Sequence, residues 1–246
     1  DGKVCLAFRV VDALQTRADN TNREAGWDNG WNENKIERVD VFLFDGGGNL
    51  YKHIEKEGLN EDATDYKTLD SGLTYAELTT GTYTYYMVAN CASLAGFDGT
   101  LTELQGKTVP DITCSMQQTS FVMDGQGKLD INPTGKTATL TFDLSRAAVK
   151  IRVSVVNTSN ASIIKSCAYR LFNYVETGTS VLAAQEEYGD GTNQQRESMD
   201  EDITATLVNS NKVVFYSYPN DWFDETKLEG QTGAWTITDL VKEDPI

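Results

Sequence analysis

One histidine, four cysteines, a surplus of carboxylates and four tryptophans are the residues of this sequence that could do chemistry. A histidine acting as general base needs a nucleophile beside it and a third group to orient the ring. His53 has neither signature: there is no GxSxG elbow, and no serine or cysteine stands in a nucleophile context, so it reads as a structural or surface residue. Cys5, Cys91, Cys114 and Cys167 form no CxxC pair and have no histidine near them, which removes the thiolate and imidazole spacing of a zinc site. They read as partly buried free thiols, although an even count also permits a disulfide and no pairing is favoured.

Other candidates dissolve on the same test. DGGGNL (45–50) has the glycines of a phosphate loop but lacks its Lys-Ser/Thr pair, and no helix follows to supply a dipole, so it reads as a turn. GDGTNQQRESMDED (189–202) does not fit the DxDxDG calcium pattern and reads as a solvated charge run. Carboxylates are so plentiful that no pair points to glycoside hydrolysis. Trp27 and Trp31 in GWDNGWN, with Trp222 and Trp235, offer a sugar-stacking platform as an alternative to the ordinary half-buried role of tryptophan in β proteins. No catalytic, cofactor-binding or metal-ligating residue is expected, and the inventory favours a structural or binding protein over an enzyme.

Charge narrows the partners. With 21 Lys and Arg against 37 Asp and Glu, the formal charge of -16 would repel nucleic acid and anionic lipid alike. No apolar run approaches the ~20 residues that span a bilayer, and the opening residues carry no leader pattern, so the sequence reads as a mature or trimmed form.

The elements that would hold any site are strands. Short β-branched and aromatic runs alternate with turn clusters. ERVDVFLFD (37–45) leads through GGGN into a returning LYKHI (50–54), and GTYTYYMVAN (81–90) is a further strand. SLAGFDGTLTELQ (93–105) has helix-like spacing but two glycines, which allows at most a short surface helix. TATLTFDLSRAAVKIRVSVVN (137–157) alternates with even residues inward up to Leu144 and odd residues inward from Ala147. Such a slip at Ser145-Arg146 requires a bulge or a transfer between sheets, and a domain boundary is placed there. SCAYRLFNYV (166–175), KVVFYSYP (212–219) and AWTITDLV (234–241) follow as strands, with 185–202 read as a long exposed loop.

The opening KVCLAFRVV places Val4, Leu6, Phe8 and Val10 on one face. It reads as a well-fitted edge strand (3–12), worth about 6–12 kcal/mol of burial before entropy. TRADNTNREAGWDNGWNENK then forms a hydrophilic tether (15–35) with arginines at 17 and 23, the kind of segment proteases reach. Without its strand, the chain would expose apolar pockets and unpaired backbone groups, a template for a strand from another molecule.

The order of these pieces resembles the fimbrillin family of Bacteroidales, the subunits of type V pili. It is carried by TRA, NKIERVDVFLFDGGGNL, GTYTYYMVAN, FVMDGQG, LTFDLSRAAVKIRV and VFYSYPNDWFDE, covering residues 3 to about 225. The resemblance implies an all-β fold of two transthyretin-like β-sandwich domains in tandem, 1–145 and 146–246, the second incomplete at its C-terminus. It implies an exported lipoprotein displayed at the cell surface, in the outer membrane or fimbrium, touching membrane only through a lipid anchor removed from this form. Val4, Leu6, Phe8 and Val10 would be a removable plug, and Arg17, with Arg23 second, the cut made by an arginine-directed protease. Other fimbrial subunits would supply a donor strand, and a host or bacterial surface ligand is a further expected partner. Two features depart from the pattern: the chain stops soon after YPNDWF and AWTITDLV, and no lipidated cysteine is present. A surface glycan-binding lipoprotein using Trp27 and Trp31 is the alternative.

Overall fold

The alternating runs fold as β-structure, with α-helix confined to two short turns among the described residues. The computed structural model describes residues 2–11, 33–113, 120–156, 167–182, 197–203 and 210–218. The first part of the chain holds β1 (Lys3–Val10), β2 (Lys35–Ile36), β3 (Val39–Asp45), β4 (Leu50–Lys56), β5 (Glu61–Asp62) and β6 (Lys67–Thr74). Helix α1 (Tyr75–Thr79), β7 (Tyr83–Ala89), a 3-10 turn at Ala92–Leu94 and α2 (Leu101–Gln105) come next. Then come β8 (Met123–Asn132), β9 (Thr137–Arg146), β10 (Val149–Val156), β11 (Cys167–Tyr174), β12 (Glu197–Ile203) and β13 (Ser210–Ser217).

Seven strands form one hydrogen-bonded sheet in the order β4-β3-β7-β8-β9-β1-β6. All its pairings are antiparallel except β1 with β9. The β3-β4 turn is fixed by Asp45, whose Oδ1 accepts the backbone N–H of Gly47 and of Asn49 at 2.9 Å each. This is the side-chain-to-backbone bonding for which Asp is favoured in turns. β3 is buried on both faces from Val39 to Phe44. Phe42 meets Phe97 edge-on at 5.5 Å, so the segment around the 3-10 turn covers one face of β3, and the sheet curls into a sandwich-like β fold around the other.

β8 lies between β7 and β9: residues 123–126 pair with β7, and residues 123, 124 and 127–132 pair with β9. Where the β9 pairing is interrupted, between Asp124 and Gly127, two glycines permit close approach: a Cβ on Gly125 would lie 2.4 Å from the Asp143 carbonyl oxygen, and one on Gly127 would lie 2.5 Å from the Phe142 ring and 2.8 Å from Tyr85 Cβ. Gly125→Ala therefore forces backbone apart, because its nearest neighbour is a main-chain atom. We expect it to destabilise the fold by about 1–3 kcal/mol in equilibrium urea unfolding.

Three sequence readings change here. β1 is no edge strand; it lies between β6 and β9. Residues 197–202, read as loop, belong to β12, which pairs with β11. Residues 33–35, read as the end of the tether, are packed: Glu33 and Asn34 are buried and Lys35 begins β2, which pairs with β5. The phase slip at Ser145-Arg146 has a visible counterpart. β9 ends at Arg146, Ala147 and Ala148 are buried, and β10 leaves the large sheet to pair with β13. Ala147 N–H donates to Val122 O at 2.9 Å. Val175, Val181, Leu182, Tyr216 and Tyr218 from the C-terminal half join the same apolar core as β1, β3 and β9.

Candidate functional site

β1 fills a slot between two strands that do not otherwise touch in the ladder. Against β9 it runs parallel, from Val4 opposite Ala138 to Val10 opposite Leu144. Against β6 it runs antiparallel, with Leu6 opposite Leu69 and Phe8 opposite Lys67. Period-two alternation sends Val4, Leu6, Phe8 and Val10 inward, and all four are buried, the first three completely. Among the described residues β6 has β1 as its sole ladder partner. Were β1 to leave, β9 would keep β8, but β6 would lose its ladder partner among the described residues.

The slot also grips the backbone and the outer face of β1. Ser71 Oγ donates to Val4 O at 2.6 Å, Val10 N–H to Ala63 O at 2.8 Å, and Tyr75 N–H to Gly2 O at 2.8 Å. On the outside, Arg9 Nε donates to Asp143 Oδ1 at 2.7 Å, and Tyr66 O–H donates to the same oxygen at 2.8 Å. The Arg9 guanidinium also lies over the Tyr66 ring, 4.6 Å from its centroid. The Arg9 bond holds the Asp143 carboxyl below its ordinary range, and the same bond raises Arg9. A depressed carboxyl stabilises the fold above its unfolded pKa and loses that contribution as pH falls through the folded value. The pair is half exposed, so its weight in overall stability is small.

A second polar cluster sits on β3 and β4. Arg38 binds the fully buried Asp40 through both carboxylate oxygens, at 2.6 and 2.7 Å, and also reaches Glu55 at 3.1 Å and Glu57. His53 stacks on Phe42, with Nε2 2.9 Å from Asp40 Oδ1 and Nδ1 3.0 Å from Phe97 O. The Asp40 carboxylate and the Phe97 carbonyl both accept, so a ring N–H facing either of them donates. Asp40, His53 and Glu55 can each bring one atom within 4.8 Å of the others, the spacing of a metal site. The Arg38 guanidinium already supplies the cation there, and the group works as an ion-pair network. His53 is held in this network between Asp40, Phe42 and Phe97.

The chain emerging before β2 is clamped to the C-terminal half. Glu33 Oε1 accepts Lys150 Nζ and Tyr216 O–H, each at 2.8 Å, while Arg146 Nε donates to Glu33 O at 3.2 Å and its Nη2 to Asn34 Oδ1. Of the residues singled out in the sequence, Val4, Leu6, Phe8 and Val10 come together in the slot. Arg17, Arg23, Trp27, Trp31, Trp222, Trp235 and Cys114 lie outside the described residues. Cys5 is an exposed and Cys91 a buried free thiol. Asp143, Tyr66 and Ser71 were not foreseen from the sequence; the one signal for the first two was an arginine on the polar face of an otherwise apolar strand.

The profile of the family described as major fimbrial subunit protein (FimA) matches residues 6–143. Among solved structures, the chain is similar to the C-terminally truncated tip fimbrial protein Mfa3 of Porphyromonas gingivalis. The identity is 13%, with 89% of this chain and 69% of that one covered and a TM-score of 0.55. It is also similar to a provisionally assigned cell adhesion protein of Parabacteroides distasonis, at 14% identity, with 89% and 71% covered and a TM-score of 0.51. Identities this low show a shared fold. No curated protein sequence matches the chain.

Proposed function

The chain belongs to the major fimbrial subunit protein (FimA) family, a family of structural fimbrial subunits and not of enzymes, and from that premise we propose that it is a structural subunit or adhesin of a cell-surface fimbria. It assembles by donor-strand exchange: an arginine-directed protease cuts at Arg17, or failing that at Arg23, β1 leaves, and a strand from another fimbrial subunit takes the slot. The protein acts after export, at the outer surface, held to membrane by a lipid anchor where it is held at all. Two domains meeting near residue 145 carry this function. The first presents the slot.

The observation that supports this reading is the position of β1. Residues 12–32 join it to the strands that follow, yet it completes a sheet between two strands and buries four side chains. Its departure would leave two open strand edges and an apolar trough. Such a surface is satisfied best by another extended strand, which restores the backbone bonds and fills the pockets together. The carboxylate-rich remainder of the chain keeps copies soluble until that happens.

The test is limited digestion of the full-length protein with an arginine-specific protease, followed by native mass spectrometry. Loss of the N-terminal peptide ending at Arg17, together with the appearance of oligomers, is the expected result. Arg17→Ala moves the cut to Arg23, and Arg17→Ala with Arg23→Ala abolishes both cut and oligomers. A cut chain that keeps its peptide and stays monomeric would sink the proposal.

A further inference from the structure

Apolar alternation alone does not tell a slot which register its occupant takes. A strand displaced by two residues still points its apolar side chains inward, one pocket further along. The β6/β9 slot carries two marks that forbid such a slip, one at each end. At the start, Gly2 passes against the β8-β9 turn, where Lys136 has a left-handed backbone with φ of 49°. A Cβ on Gly2 would lie 1.3 Å from the Lys136 carbonyl oxygen, a main-chain atom that no rotamer change can move. The Gly2 carbonyl at the same time accepts Tyr75 N–H at 2.8 Å, so the residue is held against the turn rather than hanging past it.

Seven positions on, Asp143 and Tyr66 form the second mark. Asp143 takes the Arg9 guanidinium at 2.7 Å and the Tyr66 hydroxyl at 2.8 Å, with the ring as a floor under the cation. Without Arg9 this carboxylate would keep only the Tyr66 hydroxyl and the neighbouring Lys128 charge against it, in a chain whose net charge is already -16. A displacement by two residues would bring Ala7 or Val11 to this place. It would also bring Val4 against the Lys136 carbonyl or draw Gly2 away from it.

Resting on the proposal that the slot accepts a replacement strand, we infer that it selects its occupant by a glycine at one end and a cation at the other. The occupant is an extended segment G-x-Φ-x-Φ-x-Φ-[K/R]-Φ, with Φ apolar, running parallel to β9. Glycine fits under Lys136, four apolar side chains fill the trough, and the basic residue between the last two docks on Asp143 and Tyr66. Within these 246 residues the pattern occurs once, at Gly2–Val10. The nearest other stretch, from Gly81 to Ala89, has Val88 where the cation belongs and is used as β7. Charge complementarity with Asp143 marks the replacing segment.

The experiment uses the full-length protein after arginine-specific cleavage and fluorescein-labelled peptides of residues 2–11, all carrying Cys5→Ser. Equilibrium binding and dissociation rates are read by anisotropy. The Gly2→Ala peptide should bind at least about tenfold more weakly, since overpacking against backbone is not relieved by side-chain movement. Arg9→Ala should lose about 3–10-fold, the worth of an exposed ion pair with its aromatic contact. Arg9→Lys should keep most of the affinity. Arg9→Glu should lose at least about tenfold against the native protein, and regain it against Asp143→Arg. Peptides that all bind like the parent overturn the two-mark code while leaving strand exchange standing. A parent peptide that fails to bind the cleaved protein overturns the exchange reading itself, and the code with it.

Discussion

Asp40→Ala is expected to cost about 3–5 kcal/mol of unfolding free energy, the range for removing one partner of a buried ion pair. Asp40 is fully buried, and Arg38 gives it two charge-assisted hydrogen bonds while His53 gives a third. Alanine at this position leaves a guanidinium and an imidazole N–H facing an apolar wall beside Phe42, with the half-exposed Glu55 and the exposed Glu57 as the remaining counter-charges. Arg38→Met combined with Asp40→Leu should recover part of the loss, because it removes both buried charges together and leaves the His53 Nε2 and the more exposed Glu55 and Glu57 without their former partners. The network also sets an acid limit. Burial pushes the Asp40 carboxyl up, but the bonds from Arg38 and His53 outweigh it and hold the group below its ordinary range. A carboxyl depressed in the folded state stabilises above its unfolded pKa, ~3.9, and that contribution drains away as pH falls through the lower folded value. Wild-type protein should therefore lose stability steeply in the acid range below ~4, and Asp40→Ala should show a flatter profile there. Equal steepness in the two proteins would assign acid sensitivity to other carboxyls.

The sequence carries some of this network openly. Arg38-x-Asp40 on one strand and His53-x-Glu55 on its hairpin partner each place two ionisable groups on one face. Phe42 pairs with His53 and Asp40 with Glu55 across the ladder, so a strand register would have been enough to bring the four together. The slot was less legible. An edge strand and an inner strand with one exposed face share the same alternation, so KVCLAFRVV could announce burial without naming its neighbours. Its parallel partner β9 and its anion Asp143 come from 134 residues away, beyond the reach of any local pattern. β6 escaped for a different reason: in KTLDSGLT only Ser71 and Leu73 are buried, which leaves no apolar rhythm to detect. The acidic β12, ESMDEDI, hid in the same way, as a strand with the composition of a loop. Loss of rhythm at Ser145-Arg146, by contrast, was an informative irregularity, since the chain does change sheets there.

Phe8→Ala should be the most damaging truncation within β1, at about 3–5 kcal/mol. Phe8 is fully buried, stands opposite Phe142 on β9 and Lys67 on β6, and is the largest of the four inward side chains of its strand. In the uncut protein the loss appears in equilibrium unfolding, because residues 12–32 keep β1 near its slot at high effective concentration. After cleavage the same loss falls on the retention of a separate peptide, where 3–5 kcal/mol corresponds to about two to four orders of magnitude in affinity. Phe8→Ala should therefore turn a slowly released N-terminal strand into one shed on cutting. Hydrogen exchange distinguishes this from general loosening. β6 has β1 as its sole ladder partner among the described residues, so opening of β1 should strip protection from the amides of β6 at the same time. The amides of β3, β4 and β7, which pair among themselves, should hold. If β6 stays protected while β1 exchanges, β6 is supported by something other than the first strand, and the slot would stay open-edged on one side only.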